Sequence, residues 1–133
     1  MMEDDPLDVI LAEVHSGLRP GFRASRLMYR RRLLDMLVPS EEPRGSASHS
    51  DLLARATTAE KMLITACEQC GSEAGDALKA LLGLSGNHAA PLYQRRKVAC
   101  AFLGVRPRTF TKNYESDLLM DLAAEIWKLI SLT

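Results

Sequence analysis

The chain has 133 residues, 47% of them hydrophobic and only 5% aromatic, with 17 basic side chains balanced by 17 acidic ones. That length and apolar content suffice for one compact core, while the zero net charge excludes a polycation that coats nucleic acid by bulk attraction. Alternating β-branched runs are almost absent, so the expectation is an all-α protein.

In chain order, Leu7, Ile10, Leu11, Val14 and Leu18 recur at helical spacing until Pro20-Gly21. A second amphipathic run from about Arg23 to Val38 carries Leu27, Met28, Leu34 and Leu37 on one side and Arg26, Arg30 and Arg31 around the other. Together they predict a helical hairpin at 1–38, a natural dimer surface. Residues 39–50, rich in Pro, Ser and Gly, read as a polar linker. The rest, 51–133, reads as a C-terminal helical domain. Its first helix is expected to be capped by Ser50 and to run to about Gln69; the next is expected to be capped by Ser72 and to end near Gly83. A further helix is expected from about Pro91 to Leu103, with Gly104 as its stop and Pro107 opening its successor. Ser116 is the expected cap of a separate final helix over 117–131.

Charge is segregated along this framework. Residues 1–18 hold Glu3, Asp4, Asp5, Asp8 and Glu13 and no Lys or Arg, whereas 19–32 hold six arginines and no acid. A second basic block comprises Arg95, Arg96, Lys97, Arg106, Arg108 and Lys112, with no acid before Glu115. The arginines at 30, 31 and 32 spread around a helix and read as a solvated flank, or as partners of the acidic first helix. The start MMEDDPLD lacks the basic and apolar regions of a secretory signal, and no run is long enough to span a bilayer, so a cytoplasmic protein is expected.

The second block sits in RRKVACAFLGVRPRTF, residues 95–110. Cys100 is small and four residues before Gly104, Leu103 and Val105 flank the glycine as expected buried positions, and Phe110 falls where the next helix should point into the core. By this spacing segment 94–115 resembles the helix-turn-helix of DNA-binding regulators. The resemblance implies that Arg106, Arg108, Thr111 and Lys112 face the major groove and that Arg95, Arg96 and Lys97 touch phosphates. It implies double-stranded DNA as partner and a homodimer as working unit. Two positions depart from the pattern: Asn113, where such motifs bury an apolar residue, and Glu115, where another groove-facing residue would stand. The wider stretch RRKVACAFLGVRPRTFTKNYESDLLMDLA also resembles a C-terminal helical module of uncharacterised actinobacterial proteins, which implies a fold but no activity.

The alternative is a non-enzymatic helical adaptor that docks another protein in a bacterial signalling or defence assembly, since the same fold serves both purposes. Phe110, Tyr114, Leu118, Leu122, Ile126 and Ile130 recur every four residues and offer a competing reading of one helix running to the C-terminus. No constellation of acid, base and nucleophile appears, so the chain is not expected to be an enzyme. Cys67-Glu68-Gln69-Cys70, with His88 and Cys100, nominally offers zinc ligands, but the pair ends a helix and its second half is split, so no metal or other cofactor is expected. His15 and His49 have no triad partners at suggestive spacing.

Overall fold

The computed structural model describes residues 5–39, 49–86 and 89–132. They are helical, with no strand among them. Glu3, Asp4, most of the expected linker and His88 lie outside the described residues.

Helix α1 spans Pro6–Gly17; Asp5 caps it by accepting from the Leu7 N–H, and Pro6 occupies the first turn, where a missing donor costs nothing. The second expected helix is two short ones, α2 (Ala24–Leu27) and α3 (Arg31–Leu37), separated at Arg30, whose backbone is neither helical nor extended (φ −107°, ψ 68°). The break aims Arg30 back at α1, where it donates to Glu13 Oε2 at 3.0 Å and to Ser16 Oγ. Acid and base therefore meet across this region as their segregation along the chain suggests.

Helix α4 (His49–Gln69) is the longest; His49 and Ser50 are already helical, so its start lies N-terminal to the expected cap. Helix α5 (Ser72–Leu81) has Gly71, in a tight turn, at its N-cap, with Ser72 already helical and not the expected cap; α6 (Leu92–Leu103) follows Pro91. After Gly104, α7 (Pro107–Thr109) leads through a π-helical turn (Phe110–Tyr114) into α8 (Glu115–Ser131).

Helix α4 lies at the centre against α2, α3, α5 and α8, while α8 also packs along α1, and α6 packs on α5. One contiguous apolar cluster runs from Ile10 and Val14 through Leu63, Leu78 and Leu81 to Leu119, Leu122 and Ile126. The apolar sides of α1, α2 and α3 are spent in this cluster, so the hairpin region contributes to the same core as 51–133 and does not keep that face free for a second chain. The join is also polar: Gly21, at φ +86°, turns the backbone so that the Phe22 N–H donates to the Leu82 carbonyl at 3.0 Å. The Phe22 ring is fully buried beside Gly17, where a Cβ would meet its Cζ at 2.5 Å.

Candidate nucleic-acid interface

The turn between α6 and α7 is built around Gly104, at φ +67° and ψ 30°, a conformation that costs a residue with a Cβ. With the glycine left-handed, its N–H donates to Ala101 O and the Val105 N–H to Cys100 O at 3.1 Å, closing the end of α6. Cys100 is buried, whereas Leu103 and Val105, expected to be buried, are only half-buried against the core. Arg106 continues extended, Pro107 starts α7, and the Phe110 N–H donates to Arg106 O at 2.9 Å. The Phe110 ring is fully buried, as its spacing from Gly104 predicts.

Beyond Phe110 the chain departs from expectation. Ser116 does not cap a new helix; the backbone stays helical from Pro107 to Ser131 through the π turn. Apolar residues every four positions drift by about 40° per step around a 3.6-residue helix. The wider turn at Phe110–Tyr114 takes up part of that drift, so Phe110, Leu118, Leu122 and Ile126 all reach the core. The same turn directs the two residues that depart from the helix-turn-helix pattern. Asn113 faces solvent, so no apolar residue is missing there. Glu115 turns inward, its side chain 9% exposed, and accepts from Arg96 Nε at 3.0 Å. It does not face outward beside the basic residues.

The basic block itself divides in two. Arg106, Arg108, Thr111 and Lys112 are all exposed, and among the described residues none of the three cations makes an ion pair. Arg95, expected as a phosphate contact, is 1% exposed. Its guanidinium donates to four backbone carbonyls: Leu81 at 2.6 Å, Leu18 at 2.7 Å, Arg19 at 2.7 Å and Ala90 at 3.0 Å. These carbonyls lie just past the end of α1, at the last residue of α5 and in the approach to α6, where orphan acceptors and helix dipoles both favour a cation. Burial, and then Arg96 beside it, lower the pKa of Arg95, but a guanidinium keeps its proton in proteins. Arg95 therefore joins three parts of the chain and is withdrawn from any ligand. Arg96 is half-exposed and shared with Glu115, and Lys97 is exposed with its ammonium 5.8 Å from the centre of the Tyr93 ring.

At the start of α6, Arg19, Pro91, Leu92, Tyr93 and Arg96 line a cleft of about 420 Å³. Arg19 and Tyr93 carry no motif signal, because the fold alone brings the end of α1 beside α6. Two guanidiniums and a phenol ring around an open cleft suit an anionic group.

Other sequence candidates resolve into packing. Cys67 is buried at the end of α4, and burial and the neighbouring Cys70 push its thiol up to about 12; Cys70 is pushed up to about 11, first by burial and then by Glu125 and Asp121. Both shifts oppose thiolate chemistry. Among the described residues no group of His, Cys, Asp and Glu is arranged to hold a metal ion, and no helix is long and apolar enough to cross a membrane. Of the three arginines read as a solvated flank, Arg31 and Arg32 are exposed, whereas Arg30 is half-buried and paired with Glu13.

Compared with protein-family models, curated proteins and solved structures, the chain matches none.

Proposed function

We propose that this chain is a small DNA-binding regulator, acting as a homodimer, in which the helical end beginning at Pro107 is presented to the major groove of a duplex. Arg106, Arg108 and Lys112 address base edges and nearby phosphates, and Thr111 lies between them for a contact with either base class. Lys97 and the cleft of Arg19, Tyr93 and Arg96 take the backbone of the flanking strand, supplying affinity without sequence choice. The observation that carries this reading is the exposure of three cations, free of the protein's own acids among the described residues, on a helix end anchored from below by Phe110. Elsewhere in the chain Arg23, Arg30, Arg55 and Arg96 are each matched to a carboxylate, while Arg26, Arg31 and Arg32 are exposed without one among the described residues. A protein of zero net charge thus keeps local positive potential at this end.

The test is a titration with random-sequence duplex at low salt, where phosphate attraction is strongest. Binding should appear, and its logarithm should fall linearly with the logarithm of salt concentration. Changing Arg106, Arg108 and Lys112 together to alanine should flatten that slope by between two and three, at about 0.9 for each phosphate no longer neutralised. Absence of any binding at low salt removes the reading.

The adaptor reading is favoured by a different observation. Val98 and Phe102, one helical turn apart on α6, are exposed, as is Tyr114, and aromatic residues of this kind anchor protein partners. A chain that ignores duplex but loses partner capture on Phe102→Ala would be an adaptor.

A further inference from the structure

Helix α8 is buried on one side by Leu118, Leu119, Leu122, Ala123 and Ile126. Its opposite side presents large apolar groups to solvent: Met120 is 45% exposed and Trp127 40%. These two lie on the same flank of the outer surface, one helical turn to either side of the half-buried Ala124. On the other flank stand Asp121 and Lys128, both exposed; the Lys128 ammonium also lies 3.0 Å from Glu125 Oε1 of its own helix, an exposed pair that a second acid can share.

The spacing of these four residues has a symmetry. Met120 is four residues before Ala124 and Trp127 three after; Asp121 is three before and Lys128 four after. When two copies of such a helix lie antiparallel across a two-fold axis at Ala124, Met120 of each falls opposite Trp127 of the other. Asp121 of each then falls opposite Lys128 of the other. Like flanks meet in an antiparallel pair, so the apolar contacts share one side of the seam and the charge pairs the other. Alanine at the crossing point lets the helix axes approach to about 8 Å. A parallel pairing sets unlike flanks together, so Asp121 and Lys128 of each copy face Met120 and Trp127 of the other and neither the apolar nor the charged set finds its match.

We propose that the outer side of α8 is the surface on which this protein pairs with a second copy of itself, antiparallel about Ala124. This deepens the dimeric reading of the proposed function and moves its dimer surface from the N-terminal hairpin, whose apolar side is already used in the core. It also relates the pairing to the basic ends. Phe110 lies fourteen residues before Ala124, so two such ends stand about 40 Å apart at 1.5 Å per residue. That is comparable with one turn of B-DNA, about 34–36 Å.

The interface is small, so pairing belongs to the weak, concentration-dependent class. Sedimentation equilibrium without DNA, over roughly 1 to 500 µM, should show the mass rising from 14.7 kDa toward twice that value. Trp127 is the sole tryptophan, and its emission should shift to the blue in step with the mass. Asp121→Lys should abolish pairing by facing lysine with lysine, and Lys128→Asp should abolish it by facing acid with acid. The two variants mixed in equal amounts should pair again, since each then offers the other opposite charges at both contacts. Circular dichroism checks that each variant remains folded. A mass fixed at 14.7 kDa across the range overturns the proposal. So does a dimer whose Trp127 emission is unchanged, or one indifferent to both substitutions, or a mixture that fails to recover. Because the measurement contains no duplex, its failure is separate from a failure to bind DNA.

Discussion

Two sites within one basic stretch behave oppositely. Arg95 lies in a run of three cations and reads as surface, yet its guanidinium is held by four carbonyls in the interior. Arg106, Arg108 and Lys112, set around a turn and a π-helical segment, keep their charges in solvent. The difference teaches that positive charge in a sequence becomes positive potential on a surface only where the backbone supplies no acceptors. Near Arg95 the fold converges helix ends whose carbonyls have no helical partners, and the guanidinium, with five donors in a planar fork, is suited to satisfy several at once. Beyond Gly104 the helix opens with its N–H end, which offers a cation nothing.

The strongest way to break this contrast is Arg95→Met. It retains most of the stem and removes the donors, leaving buried carbonyls at Leu18, Leu81 and their neighbours unpaired. The expected loss is about 3–5 kcal/mol, as for removing one partner of a buried charged contact. Urea denaturation followed by circular dichroism should show this as a lower midpoint with little change in slope. Arg95→Lys should recover little of the loss, because one ammonium cannot span carbonyls from three parts of the chain. A variant as stable as the parent would mean that Arg95 is not the joint between the N-terminal region and α6.

Much of this arrangement is legible in the chain before folding. Gly104 and Phe110 are readable because turn chemistry and a buried ring at fixed spacing are local properties, and the structure places both as their spacing predicts. The all-helical content follows from the same local patterns. Arg95 is not readable, because a one-dimensional pattern treats charge as solvation, and its acceptors come from residues 18, 19, 81 and 90, brought together only by tertiary packing. Glu115 is hidden for a different reason. Its direction depends on one extra residue in the turn at Phe110–Tyr114, and a 3.6-residue template applied through that turn rotates every later residue outward or inward incorrectly. The four-residue stripe from Phe110 to Ile130 holds the signal for a continuous helix.

The turn that separates the two sites should be the next most sensitive position. At Gly104 a Cβ would meet nothing within 4 Å, so the cost of Gly104→Ala is conformational only. The left-handed backbone at φ +67° sets that cost at about 1–2 kcal/mol. Thermal unfolding should register it, and duplex binding at low salt should persist where the protein stays folded. A cost near zero would show that the turn can relax to another geometry.

Glu115→Gln sharpens the contrast from the other side. It keeps an acceptor for Arg96 Nε while removing a charge, so the stability loss should be about 1 kcal/mol or less for a pair whose arginine is half-exposed. Removing the carboxylate also leaves Arg96 unneutralised beside Arg19 and Tyr93. Duplex affinity at low salt should therefore rise, with the salt slope steeper by up to about 0.9. Weaker binding in this variant would place Glu115 among the residues that organise the interface and not among those that restrain it.

The smallest expected effect on stability belongs to the residues expected to matter most for binding. Alanine at Arg106, Arg108 and Lys112 removes no ion pair found among the described residues and opens no cavity, so the three changes together should alter unfolding free energy by about 0.5 kcal/mol or less. Weaker repulsion among neighbouring cations offsets part of any cost in helix-end packing. A protein that retains its denaturation midpoint while losing low-salt duplex binding separates the two kinds of charge by experiment: Arg95 holds the fold, while Arg106, Arg108 and Lys112 meet the ligand. If the triple variant instead unfolds as readily as Arg95→Met, the exposed cations are structural, and the contrast between buried and available charge fails at its second half.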